Sequence, residues 1–321
     1  MKFEKKDLGL DNGLKKEWII TNGIGGYSSS TIIGANTRKY HGLLVSPLSA
    51  PARRYLILSK LDESIVLDGR KHDLYTNVCR NYISQGFNYL ESFSKDILPV
   101  FKYKVEDTEI TKAICMQYGK NTVEVYYKIR NGNSKAKLEL APIFNFRDFH
   151  SMNTNHNFEI TQEVKSNKIK LVIDKNISHP VYMKTSEGNY TQHINNIFYN
   201  MFYIEEEKRG FYPEENHIVS GVFEINIEPN EEKDISFICS MEENIDELDA
   251  KALINNEIVR INTIYNESLL IDNGKENKTK EEMEKDELVR AYLLAADNFV
   301  VYRPTFGLHT LIAGYPWFLD W

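Results

Sequence analysis

From Glu17 to about Met241, apolar and polar residues alternate with a period of two. Val123, Val125, Tyr127 and Ile129 interleave with Glu124, Tyr126 and Lys128. Asn131-Gly132 follows, and Lys137-Leu138-Glu139-Leu140 resumes the alternation. Asn-Gly between alternating runs predicts a hairpin, because both residues tolerate positive φ. The same alternation marks Lys168-Ile169-Lys170-Leu171-Val172-Ile173 and Phe223-Glu224-Ile225-Asn226-Ile227. Tyr55 to Val66, Val100 to Val105, Val181 to Thr185 and Phe198 to Tyr203 are further strand-like runs. A dozen or more short strands separated by turn signals predict two packed antiparallel sheets, a large β-sandwich.

Beyond Met241 the period lengthens. Ile254, Ile258, Ile261, Tyr265 and Leu269 fall on one face of a helix. Asn273 to Glu287 is charged, contains glycine and has almost no apolar residues, so it reads as a linker. A second helical stripe, Leu288, Ala291, Tyr292, Ala295 and Phe299, runs out near Arg303-Pro304, since proline pushes its predecessor off the α region. The predicted organisation is a sandwich over 1–270, a linker over 271–286 and a separate piece over 287–321. One amphipathic helix cannot bury its own stripe. The last piece therefore reads either as the opening of a further helical domain or as a strap on the sandwich. It finishes on Ala313-Gly314-Tyr315-Pro316-Trp317-Phe318-Leu319-Asp320-Trp321, an aromatic run around one carboxylate.

Composition narrows the function classes. Hydrophobic residues make up 42% and charged residues 26%, with 19 tyrosines and 16 phenylalanines, so the chain can build a core. A formal charge of −7 without a basic stripe argues against nucleic acid and anionic membrane as partners. Three widely spaced cysteines form neither a disulfide framework nor a CxxC pair, and Cys115 and Cys239 sit in apolar runs as buried thiols. With no apolar leader and no apolar run near 18 residues, the expectation is a cytoplasmic protein.

Five stretches are candidates for chemistry. Thr21-Asn22-Gly23-Ile24-Gly25-Gly26-Tyr27 is glycine-rich, but a strand-like run rather than a helix follows it. That excludes a phosphate loop, which needs a helix N-terminus. It leaves a tight turn, or a turn whose amides face a polyhydroxylated ligand. Thr37-Arg38-Lys39-Tyr40-His41-Gly42 and Phe146-Arg147-Asp148-Phe149-His150 carry the donors, acceptors and aromatic faces that grip sugars. Alternatively, an Arg-Asp pair pins a loop and the histidines are satisfied by backbone carbonyls. Asp148, His150 and His156 lack metal-triad spacing, so no metal or other cofactor is expected. Glu205 to Glu215 reads as a solvated mixed-charge loop. In the terminal run, Asp320 between Trp317 and Trp321 offers an acceptor between stacking platforms, as a pyranose pocket requires.

Glu17-Trp18-Ile19-Ile20-Thr21-Asn22-Gly23-Ile24-Gly25-Gly26-Tyr27, then Thr37-Arg38-Lys39-Tyr40-His41-Gly42-Leu43-Leu44, resembles the N-terminal signature of bacterial and archaeal-type glycogen debranching enzymes (amylo-α-1,6-glucosidases). Arg147-Asp148 with His150, Arg209-Gly210 and Ala313 to Trp321 are similar to later blocks in the same order, although the family's acidic run after Arg209-Gly210 is here Pro213-Glu214-Glu215-Asn216-His217. The resemblance implies a glucoamylase-like supersandwich, a linker helix and the start of an (α/α)6 catalytic barrel. It implies inverting hydrolysis of α-1,6-linked glucose at branch points, with both catalytic carboxylates beyond residue 321 and none in this chain. Substrate contact is expected at Trp317, Asp320 and Trp321, and at Arg38, Tyr40 and His41. The partners implied are glycogen or a branched α-glucan and the chain's own catalytic barrel. The competing expectation is a stand-alone carbohydrate-binding β-sandwich module.

Overall fold

Two antiparallel sheets carry the alternating segments. The structure, a computed structural model, describes residues 1–174, 179–194, 196–270 and 280–315. The nine-stranded sheet runs, in spatial order, Lys2–Glu4, Leu90–Lys95, Pro99–Val105, Thr108–Met116, Thr122–Arg130, Glu232–Ser240, Val181–Thr185, Lys168–Ile173 and Ile160–Lys165. The twelve-stranded sheet starts Glu17–Thr21, Tyr27–Thr31, Gly42–Ser49, Ala52–Leu67 and Ala136–Asp148, then continues through Glu214–Val219 and Ile197–Phe202 to two short strands.

The inner faces build one core. Trp18, Phe93, Phe101 and Tyr103 are buried within it, with ring centroids of Phe93 and Phe101 4.8 Å apart and those of Trp18 and Phe101 6.3 Å apart. Val123, Val125, Tyr127 and Ile129 all point into the same core, as their period predicts. Burying each such side chain contributes about 1.5–3 kcal/mol. One carboxylate also lies between the sheets. Glu63 accepts from the Tyr127 hydroxyl at 2.7 Å and pairs with Lys112, which ties one sheet to the other.

Three expectations are corrected here. Asn131-Gly132 does not close a hairpin, because Thr122–Arg130 belongs to the nine-stranded sheet and Ala136–Asp148 to the other. The segment crosses between sheets, and neither residue has positive φ. The Asn131 amide instead donates to the carbonyls of Ser134 and Glu228, both at 2.8 Å, and accepts from Thr108 Oγ1 at 2.9 Å. The Glu205 to Glu215 stretch is not a solvated loop, for it forms the short helix Ile204–Lys208 and begins the strand Glu214–Val219, with Glu206 and Glu215 buried. The second helix spans Lys280–Asp297 and does not reach Arg303. A hairpin, Val300–Arg303 against Leu308–Leu311, follows it, so Phe299 lies outside the helix.

The first helix, Ala250–Leu270, packs against Thr108–Met116, Thr122–Arg130 and Glu232–Ser240. Arg260 joins it to the second helix, donating to Asp297 at 2.6 and 3.0 Å and lying 4.2 Å from the Tyr118 ring. Thr21 Oγ1 donates to Asn298 at 3.2 Å, and the Tyr302 amide donates to the Gly23 carbonyl at 2.7 Å. The second helix and its hairpin are therefore fastened beside the glycine turn.

Candidate functional site

The glycine turn is built for its own geometry. Asn22 Oδ1 accepts the amides of Gly26 at 2.8 Å and Ile24 at 3.2 Å, while its amide donates to the Lys120 carbonyl at 2.8 Å. Gly23 and Gly25 have φ of 71° and 94°. A Cβ on Gly23 would stand 2.3 Å from the Tyr118 ring. With its amides turned toward Asn22, the segment is a tight turn rather than a ligand cradle.

Beside it, between the outer face of the first strands and the second helix, lies a cleft of about 810 Å³. In Glu17–Thr21 the pleat turns Trp18 and Ile20 into the core, leaving Glu17 and Ile19 on the cleft side. Tyr27, Arg38, Tyr40 and His41 also line the cleft, and Tyr315 closes one end. From the helix come Glu287, Arg290, Ala291, Leu294 and Ala295. The structure thus brings Arg38, Tyr40 and His41 together in one cleft. Trp317, Asp320 and Trp321 lie outside the described residues.

The electrostatics centre on Glu17. Arg38 Nε donates to Glu17 Oε1 at 2.7 Å, and His41 Nε2 stands 3.6 Å from the same oxygen. His41 Nδ1 accepts the Thr37 amide at 3.0 Å, which puts the ring proton on Nε2, toward the carboxylate. His41 Nδ1 is therefore satisfied by an amide and not by a backbone carbonyl, while Nε2 faces the carboxylate from beyond hydrogen-bond distance. Burial pushes the Glu17 carboxyl up, but His41 and Arg38 together outweigh it and hold the pKa at about 2. Glu17 is an ionised acceptor throughout the ordinary pH range.

Tyr40 is buried. Its hydroxyl lies 3.2 Å from His150 Nδ1, its carbonyl accepts from the Tyr27 hydroxyl at 2.8 Å, and its ring meets Phe149 edge-on at 5.7 Å. It supports the cleft wall more than it offers a stacking face.

Behind the loop, Arg147 does not pair with Asp148. Its guanidinium grips Glu215 through Nε and, at 2.8 Å, through Nη2. Nη2 also donates to the Lys39 carbonyl at 2.7 Å, pinning the loop that carries Arg38 and His41. The Tyr203 hydroxyl donates to Glu215 at 2.6 Å and lies 3.2 Å from His217 Nε2. Burial pushes His217 down to about 4, so the ring is neutral. Asp148 instead accepts the His150 amide at 2.9 Å.

A second buried cation lies near the end of the cleft. Arg54 has no exposed surface, and none of its guanidinium nitrogens has a hydrogen-bond partner among the described residues. The Tyr315 ring lies 4.5 Å from it and that of Phe149 5.6 Å away, a cation held by aromatic faces. Sequence reasoning missed Glu17, Glu215 and Arg54 as members of this region. Only Glu17 left a signal, as a charged residue on the opposite pleat from Trp18.

Among the described residues no group of three or more His, Cys, Asp or Glu could hold a metal ion, and no helix is long and apolar enough to cross a membrane.

Comparison with known proteins places this geometry in context. No curated protein matches the chain. A bacterial glucoamylase complexed with acarbose is similar over 92% of this chain and 41% of its own length, with a TM-score of 0.44 and 14% identity. A protein described as a kojibiose phosphorylase from the human microbiome is similar over 88% of this chain and 36% of its own, with a TM-score of 0.37 and 10% identity. The chain thus spans well under half the length of either. Residues 16–234, more than half of the chain, match the family described as "Glycogen debranching enzyme N terminal". That match takes in the glycine turn, the loop carrying Arg38 to His41 and the Arg147–Glu215 pair behind it, and the chain belongs to the glycogen debranching enzyme N-terminal family.

Proposed function

We propose that this chain is the N-terminal part of a glycogen debranching enzyme that hydrolyses α-1,6-linked glucose at branch points with inversion. In this reading the sandwich frames and binds a branched α-glucan, and an (α/α)6 catalytic domain supplies the chemistry. Inversion needs one carboxylic acid to protonate the leaving oxygen and a second carboxylate to activate water, roughly 6.5–9.5 Å apart.

The observation that carries the binding role is the cleft itself. Its volume suits a saccharide, the Glu17 carboxylate offers an ionised acceptor on its wall, and Ile19, Ala291 and Ala295 supply an apolar strip for a sugar's C–H face. The family match supports the glucan as ligand. Proton transfer is assigned elsewhere on chemical grounds. Glu17, held at about 2, is deprotonated where a general acid must carry its proton, and is too weak a base to activate water well.

The test is glucose release from phosphorylase-limit glycogen by the purified chain. No release is expected, and measurable turnover that survives a chelator refutes the division of labour. Micromolar affinity for maltooligosaccharides in the same preparation supports the carbohydrate-binding module instead.

A further inference from the structure

The Glu17 carboxylate has two oxygens in different situations. Oε1 receives Arg38 Nε at 2.7 Å and faces His41 Nε2 at 3.6 Å. Oε2 accepts no hydrogen bond from any described residue, although the side chain lines the cleft and is 32% exposed. Around this oxygen the two arginines of the cleft are already paired. Arg38 also stands 3.9 Å from Glu205, and Arg290 donates to Asp96 at 3.1 Å and to Asn262 at 3.2 Å. An anion bound at Arg38 or Arg290 would have to break one of these pairs. An uncharged polyol need only donate a hydroxyl to Oε2 while its C–H face lies on Ile19 and Ala295.

We infer that Glu17 is the residue of this wall that contacts the glucan, accepting a glucosyl hydroxyl at Oε2, and that Arg38 and His41 are positioning residues acting through Glu17. The inference rests on the glucan reading proposed above. It reassigns the sugar-gripping role expected for the Arg38 to His41 loop. Arg38 Nε donates to the carboxylate and His41 Nε2 faces it, so the acceptor is oriented before the sugar arrives. A charge-assisted hydrogen bond of this kind, made in a partly dry cleft by an already oriented group, is the strong class of polar contact.

The pair also sets a pH signature. The charged groups around Glu17 are Arg38 and His41 from its own wall, Glu205 behind Arg38, and the Met1 amino group, Lys95, Asp96, Glu287 and Arg290 around the rest of the cleft. With both positioners in place the carboxylate survives deep into acid. Without Arg38 its protonation moves up, while His41, the larger of the two lowering influences, still opposes it.

The experiment titrates the full chain with isomaltose, maltotriose and glucose at millimolar concentration, followed by saturation-transfer NMR. Glu17→Ala is expected to weaken binding about tenfold or more, and Glu17→Gln by a smaller factor, because the amide oxygen still accepts but carries no charge. Arg38→Met is expected to keep most of the affinity at neutral pH and to lose it on acidification at a higher pH than the unaltered chain does. Circular dichroism confirms that each variant is folded, and Glu17→Gln, nearly isosteric, serves if Glu17→Ala does not fold. Unaltered binding by folded Glu17→Ala or Glu17→Gln overturns the inference and leaves the glucan reading standing. Absence of any α-glucan binding by the unaltered chain overturns the glucan reading for this cleft. Equal loss at every pH in Arg38→Met makes Arg38 a contact and overturns its positioning role.

Discussion

Glu124 lies near the start of Thr122–Arg130 on the face covered by the first helix, with no exposed surface and no hydrogen-bond partner among the described residues for either carboxylate oxygen. Burial, reinforced by the nearby charge of Asp249, pushes its pKa up to about 9. The folded chain therefore holds a proton there that the unfolded chain releases above about pH 4.5. Because the folded pKa is the higher one, stability is greatest below the unfolded value and falls as pH rises toward 9. At 1.36 kcal/mol per unit, the cost at pH 7 is about 3 kcal/mol, growing to about 6 kcal/mol near pH 9.

Glu124→Gln keeps the shape and removes the titration. It is expected to raise stability by about 3 kcal/mol at pH 7, or about 6 °C in Tm at roughly 2 °C per kcal/mol for a domain of this size. The assay is differential scanning calorimetry of both proteins from about pH 5 to 9. The two curves should converge at the acid end and separate steadily toward the alkaline end. Parallel curves, or a variant less stable at every pH, refute the reasoning, since either result requires an ionised and well-solvated Glu124.

The Arg147–Glu215 pair gives a prediction of opposite sign: Arg147→Met leaves a buried carboxylate without its cation, costing about 3–5 kcal/mol, and a double-mutant cycle with Glu215→Gln by urea unfolding should find the losses far from additive. His217 adds an acid limb. Its folded pKa of about 4 lies below the unfolded 6.5, so stability falls by about 3 kcal/mol as pH drops across that window, and His217→Gln should flatten this limb in calorimetry extended down to about pH 4.

The sheets were legible from the sequence because side chains on a pleat alternate between faces. Val123 to Ile129 enter the core as their period requires, and Ile261 is buried on the face its helical spacing assigns. The partners of those strands were not legible. Asn131-Gly132 carries a turn composition, but pairing is decided by what the flanking strands meet, and they meet Glu232–Ser240 on one side and Ala52–Leu67 on the other. The same limit applied to the site. Arg38 and His41 stand out by residue type, whereas Glu215 sits 68 residues from Arg147 in a stretch whose composition reads as surface. Charge looks solvated in a sequence until a counter-charge from a distant strand is known. Phe299 failed for a local reason, since a helical stripe extends in sequence only as far as the helix, which stops at Asp297.

Strand order also constrains how this chain is made. Thr122–Arg130 is flanked by Thr108–Met116, its predecessor, and by Glu232–Ser240, more than a hundred residues later. Ala136–Asp148 similarly awaits Glu214–Val219 and Gly221–Ile227. During synthesis each growing sheet must therefore present a bare, apolar-backed edge until the last third of the chain leaves the ribosome. Bare edges of that kind recruit other chains, so slow translation or truncation before Ser240 should yield aggregate, whereas loss of the terminal helices leaves both sheets fully paired.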